Sequence, residues 1–254
     1  MIPNIPNMKK LYLITLLLSI TLLSGFSPTE FNYLPAIVGD HQVISYTQFT
    51  LSYNEQHEQA DWVAYELTSE EVAMKQDRCN CFKSDPNVIT MSAAKNDYKS
   101  SGYDRGHLSP AADNNLSEEA NEESFLMSNM SPQLPKFNRG IWKRLEGWVR
   151  NQATEHKSVY VVTGPVFIRN LGAIGKNNVT IPGYYYKVLL RMNNSKIRTI
   201  AFLIPQQYTT SDIKDYIVTV NRIETITGID FFPELDNSIE NKIESQSQPK
   251  KWGL

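Results

Sequence analysis

The segment YDRGHLSPAADN, residues 103–114, sets an arginine and a histidine on either side of a glycine. On extended backbone Arg105 and His107 point to the same face, which puts a fixed cation beside a group able to take a proton near neutral pH. Gly106 carries no Cβ, so a phosphate or a backbone can come close. Such a set gives a cation and a possible base one open approach, and a metal ligand would complete it. A hairpin turn is an equally good reading of Arg-Gly-His by itself. The other histidines, His41, His57 and His156, have no such company and read as ordinary surface or core residues.

A metal ligand for that chemistry is offered by SNMSPQLPKFNRGIWKRLEGW, which carries Asn138 and, eight residues on, Glu146. On a regular helix the two lie roughly 12 Å apart along the axis and about 80° apart around it, too far for both to bind one ion directly. The spacing suits a water-rich Mg²⁺ site in which Asn138 contacts the ion and Glu146 holds one of its waters. An equally plain reading has Asn138 capping the helix and Glu146 paired with Arg150. Lys136, Arg139, Lys143, Arg144 and Arg150, interleaved with Trp142, form a basic stretch suited to nucleic-acid phosphates.

These residues need elements to hold them. Phe137, Ile141, Leu145, Trp148 and Val149 recur at helical intervals after Pro135, which predicts an amphipathic helix. A second helix is expected at residues 220–227, stopped by Gly228 as a left-handed cap. ISYTQFTLSYN, DWVAYEL, VYVVTGPVF, YYYKVLLRM and IRTIAFLIP are β-rich. They imply an α+β fold with a mainly antiparallel central sheet of about five or six strands and flanking helices.

The chain has 254 residues, ordinary hydrophobic content of 41% and a formal charge of −2, which fits one large globular domain and excludes disordered and fibrous classes. MKKLYLITLLLSITLLSGFSP runs from Lys9 and Lys10 through an apolar stretch to small residues, the layout of a secretory signal peptide. The expected organisation is a signal peptide at 1–26, an irregular arm at 27–43, the main domain at 44–235 and a polar, frayed tail at 236–254. A secreted or periplasmic location follows. Without Lys9 and Lys10 the formal charge falls from −2 to −4, so any grip on phosphate must be local. Cys79 and Cys81 in DRCNCF read as small loop residues, since a bridge across one intervening residue closes a tight ring; an intermolecular bridge is the other option.

DRGH followed by SNMSPQ, then Asn138, then WKRLE resembles the DNA/RNA non-specific endonuclease family, which includes the Serratia-type nucleases and mitochondrial endonuclease G and shares a ββα-metal (His-Me) finger. DWVAYELT, VYVVTGPVF, IPGYYYKVLL, AFLIPQ and IETITGIDFFPEL resemble further blocks of that family in the same order, over residues 46–235. The resemblance implies that His107 is the general base, Asn138 the direct Mg²⁺ ligand, Glu146 and Asn129 outer-shell residues, and Arg105 a transition-state contact. Asp104 is expected to shape the turn. Arg139, Lys143, Arg144 and Trp142 are the expected substrate contacts. The implied activity is Mg²⁺-dependent (or Mn²⁺-dependent) cleavage of DNA and RNA with little sequence selectivity, leaving 5′-phosphate ends. A binding module on the same fold is the competing class. A small acidic protein inhibitor, as for an exported toxin nuclease, and a second copy of the chain are the protein partners considered.

Overall fold

The computed structural model describes residues 32–193 and 196–254; the expected signal peptide lies outside them. Residues 44–54 form a hairpin rather than one strand. β1 (Gln42–Ser45) pairs antiparallel with β2 (Thr50–Asn54), and the turn closes with Tyr46 N donating to Phe49 O at 2.8 Å. β3 (Gln59–Thr68), β6 (Ser158–Ile174), β7 (Val179–Asn193) and β8 (Lys196–Pro205) follow the expected runs. With β9 (Ile217–Val218) they make a seven-stranded sheet ordered β1-β2-β3-β6-β7-β8-β9, every neighbouring pair antiparallel. The count exceeds the expected five or six because the edge strands β1 and β9 are too short to carry a readable alternation.

Both faces of this sheet are covered, so its central strands are buried almost throughout instead of alternating. One face packs against α4 (Lys143–His156), whose Leu145, Val149 and Ala153 share one buried core with Tyr185 and Leu189 of β7. α1 (Ser69–Ala73) carries a full capping box at Thr68 and Glu71. α2 (Glu118–Glu123) is capped by Ser117, and its Glu122 lies 3.7 Å from Lys83. On the other face Tyr186 meets Phe231 edge-on, just beyond α5 (Val220–Thr227), which ends as expected at Gly228 with φ 72°.

The helix that follows Pro135 is not one regular rod. α3 (Pro135–Phe137) gives way to a wide, π-type turn over Asn138–Trp142, with Gly140 off helical geometry at φ −103°, ψ −108°, before α4 begins. The apolar stripe survives, because Ile141 and Trp142 stay buried across the turn.

The tail is a correction to the sequence reading. Residues 236–254 are folded: α6 (Asn237–Glu244) and a short 3₁₀ turn, Pro249–Trp252, lie on β8. Thr199 Oγ1 donates to Ile243 O at 2.7 Å, and Trp252 Nε1 donates to Thr199 O at 3.2 Å. One tryptophan, 1% exposed, outweighs the polarity of its neighbours. At the other end, residues 32–41 have no regular structure but are tied down by Ala36 N donating to Asp230 O at 2.9 Å. The cysteines also depart from expectation: Cys79 and Cys81 form a disulfide, with Asn80 at φ 53° turning the chain so that their Cα atoms lie 5.1 Å apart, within the ordinary span of such bridges.

Candidate active site

β4 (Asp104–His107) and β5 (Met130–Gln133) form a separate two-stranded ladder with Arg105 opposite Pro132 and His107 opposite Met130. β5 is fixed to the main sheet by Tyr185, whose hydroxyl donates to Pro132 O at 2.8 Å and lies 2.7 Å from Ser131 Oγ. The chain then enters α3 and the wide turn. Strand, strand and helix thereby bring Arg105, His107, Asn138 and Glu146 to one cavity of about 270 Å³, together with Arg78, Arg139, Lys143 and Arg150. Asn138 and Glu146 both line this space, and the chain between them runs through the wide turn in place of a regular helix.

His107 is 9% exposed and sits edge-on to Phe125 at 4.9 Å and to Phe82 at 5.8 Å. The same two rings carry the cations: Arg78 lies over Phe125 at 4.8 Å and Arg105 over Phe82 at 4.2 Å. Burial, then Arg78 and Arg105, lower the His107 pKa to about 3. The ring is therefore neutral at physiological pH, and its Nε2 has no hydrogen-bond partner among the described residues. An anion between the two arginines would offset their share of that shift and raise the basicity of the ring, while the larger contribution of burial stays.

Asn138 is held by Asp104, which accepts from Asn138 Nδ2 at 2.9 Å and from Arg139 at 2.9 and 2.6 Å. The amide is thereby oriented, and no hydrogen bond to its Oδ1 occurs among the described residues, which leaves a carbonyl oxygen for another ligand. Behind it lies a buried charge network. Asp113 accepts from Arg150 at 2.7 Å and from Tyr65 at 2.9 Å. Lys187 of β7 is fully buried 5.0 Å over the Trp142 ring, its Nζ unpartnered among the described residues. Burial raises the Glu146 pKa against the pull of Lys187, and burial lowers that of Lys187. Among the described residues no three His, Cys, Asp or Glu side chains gather as a metal cage. One free amide oxygen beside one carboxylate fits a hard divalent ion that keeps most of its waters.

The sequence profile of the DNA/RNA non-specific endonuclease family matches residues 27–238. The chain belongs to that family. Among its relatives, this endonuclease is 32% identical to a nuclease of Nostoc sp. over 235 residues, 88% of this chain and 82% of that one. It is 32% identical to human mitochondrial endonuclease G over 209 residues, 76% of this chain and 70% of that one. With mouse mitochondrial nuclease EXOG it shares 34% identity over 76% of its own length but only 57% of the relative's. Among solved structures it is similar to an EndoG/EndoGI complex described as showing the mechanism of EndoG inhibition, with a TM-score of 0.74, 31% identity, and 78% and 88% of the two chains covered. The endonuclease is thus a hydrolase acting on nucleic acids.

Several expected site residues of the endonuclease stand elsewhere. Asn129 does not face the cavity: its amide accepts from Ser109 N at 2.8 Å and donates to Ser109 O at 2.9 Å and Ser124 O at 2.8 Å, so it braces the segment after His107. Trp142 is fully buried against Phe137 and Tyr185, where no substrate base can stack. Arg144 donates to Ser211 O at 2.7 Å and does not line the cavity. Arg150 pairs with Asp113, not with Glu146. Gly106 is required by packing, since a Cβ there would overlap the Gln133 side chain. Asp104 does more than shape a turn, because it positions Asn138 and Arg139.

Sequence reasoning missed Arg78, Asp113 and Lys187. Arg78 stands next to the cysteine pair, in a stretch without periodicity, and Lys187 is one letter inside an apolar strand. Lys187 leaves a trace, a cation set between Tyr184, Tyr185 and Tyr186 on one side and Val188, Leu189 and Leu190 on the other.

Proposed function

We propose that this endonuclease cleaves DNA and RNA with water activated by His107 and a divalent cation held at Asn138, releasing 5′-phosphate ends. The observation that carries the reading is the convergence of His107, Arg105, Asn138 and Glu146 on one cavity rimmed by Arg78, Arg139, Lys143 and Arg150. Arg78 and Arg105 bind the scissile phosphate and bring it against the neutral imidazole. A free ring nitrogen of His107 takes a proton from water, the hydroxide adds to phosphorus, the bond to the 3′ oxygen breaks, and the leaving alkoxide takes a proton from solvent water to give the 3′ hydroxyl. The arginines offset the charge that grows on the non-bridging oxygens. Asn138 Oδ1 would hold the cation, Mg²⁺ or Mn²⁺, and Glu146 would accept hydrogen bonds from its water shell. When bound, the cation supplies Lewis-acid charge to the phosphate and the leaving oxygen. All these contacts are to phosphate, so sequence selectivity is weak.

The signal-like leader supports secretion or periplasmic export. A small acidic protein inhibitor is a further proposed partner, supported by the likeness to EndoG in its inhibitor complex; its acidic surface would meet the cations around the cavity. The test is cleavage of supercoiled plasmid and of a structured RNA by the purified protein, with Mg²⁺, with EDTA, and with His107→Ala alongside. Degradation of both substrates only by the unmutated protein and only with the metal is expected. A folded protein that leaves both intact across several divalent ions would overturn the reading in favour of a binding module.

A further inference from the structure

A second concentration of cations lies away from the catalytic cavity. His156 at the end of α4, Arg191 and Asn193 of β7, and Lys196 and Arg198 of β8 line a cavity of about 400 Å³. Arg191 and Arg198 face each other across the β7–β8 ladder. Glu155, largely exposed, lies 3.8 Å from His156 at the edge of this cluster. A neighbouring cavity shares Lys196 and Arg198 and adds Lys242 of α6.

Arg191 makes this a built site and not a solvated charge patch. The residue is 5% exposed, its guanidinium lies 4.4 Å over the Trp252 ring, and one amino group donates to Lys251 O. The other, Nη1, is buried with no partner among the described residues. A buried cationic donor left unmatched is costly unless an anion completes it. The cations also crowd one another: burial and then Arg191 lower the His156 pKa, and burial and then Arg198 lower that of Arg191. A bound anion would relieve that repulsion. The wall that fixes Arg191 comes from residues 249–252, beyond the family match that ends at residue 238.

Position suggests which anion. His156 follows Glu146 by ten residues of helix, about 15 Å along α4. Arg191 follows Lys187 by four residues on the same face of β7, about 13 Å. The two routes put the cluster about 13–15 Å from Glu146 and Lys187, on the helix-covered side of the sheet, and at about 3.4 Å of duplex axis per phosphate of one strand that is a span of about four phosphates. We propose that Arg191, Arg198, Lys196 and His156 form a second phosphate-binding site that grips the substrate strand several nucleotides from the bond being cut. The occupant is a backbone phosphodiester; free inorganic phosphate shares its chemistry.

The inference rests on the nuclease activity, and the test separates the two. Lys196 and Arg198 are accessible, so Lys196→Ala/Arg198→Ala should keep the parent melting temperature. With single-stranded DNA of about 16 nucleotides the double variant should raise KM about fivefold at unchanged kcat, and with about 3 nucleotides it should change neither. Binding of the longer strand in the His107→Ala background should lose about 1.4 from the slope of log K against log salt, two contacts at about 0.7 each. Equal effects at both lengths, or none, would overturn the proposal. So would calorimetric binding of inorganic phosphate that depends on these residues with no length dependence, which would assign the site to a free anion. A parent that cleaves neither length defeats the nuclease chemistry, and the binding slope still decides the second site.

Discussion

His107 differs from the other histidines in its surroundings. His57 stacks on Phe167 at 3.7 Å and bonds Thr180, His156 lies among cations, and His107 alone sits between two arginines over aromatic rings. Removing its imidazole should lower kcat by about 10³ with little change in melting temperature, the range for a lost general base. Because the form proposed to act as the base is neutral and the folded pKa lies below 6.5, kcat/KM should hold steady as pH falls through 6.5 and decline only at lower pH. Arg78→Ala should move that acid limb upward, and a limb that does not move would dissociate Arg78 from the ring. The same shift bears on stability. The unfolded chain takes up a proton near 6.5 that the folded ring resists, so the His107 contribution is fully present above that pH and lost as pH falls towards about 3. Asp104→Ala frees both Asn138 and Arg139; the Mg²⁺ concentration for half-maximal cleavage should rise several-fold, and titration of metal against rate checks it.

Elements explain constraints that single residues do not. Gly106 lies in β4 with its Cβ direction filled by the buried Gln133 of β5. Gly106→Ala should therefore cost about 1–3 kcal/mol by overpacking, measured by urea denaturation, and any loss of activity should track the fold. In α6 the Glu244 carboxylate is 4% exposed with Oε1 unpartnered among the described residues. Burial, then Glu224, Glu240 and Asp230, push its pKa up to about 9. The folded state holds this proton where the unfolded chain has released it, so the penalty is absent below about 4.5 and grows up to about 9. Glu244→Gln should accordingly raise the melting temperature more at pH 8 than at pH 5.

At the scale of the whole molecule, one sheet joins two cationic sites through shared elements. α4 carries Glu146 near one end and His156 at the other, and β7 carries Lys187 and Arg191 on one face. The C-terminal segment closes this assembly, so Trp252→Ala should cost about 3–5 kcal/mol and loosen Arg191; a thermal melt unchanged from the parent would contradict the packing. The sequence by itself determined the α+β class, the helix stripe through Phe137, Ile141, Leu145 and Val149, the stop at Gly228, and the pairing of Arg105 with His107, because each is written in a local period or an adjacent pair. Tertiary structure alone decided that the chain from Asn138 to Glu146 passes through an irregular turn and not a regular helix. It also turned Trp142 inward, set Asn129 as a brace, brought Arg78 over Phe125 from a stretch without periodicity, and folded the tail around Trp252. Those outcomes depend on contacts between segments far apart in the chain, where burial and charge pairing override the local preference of any one of them.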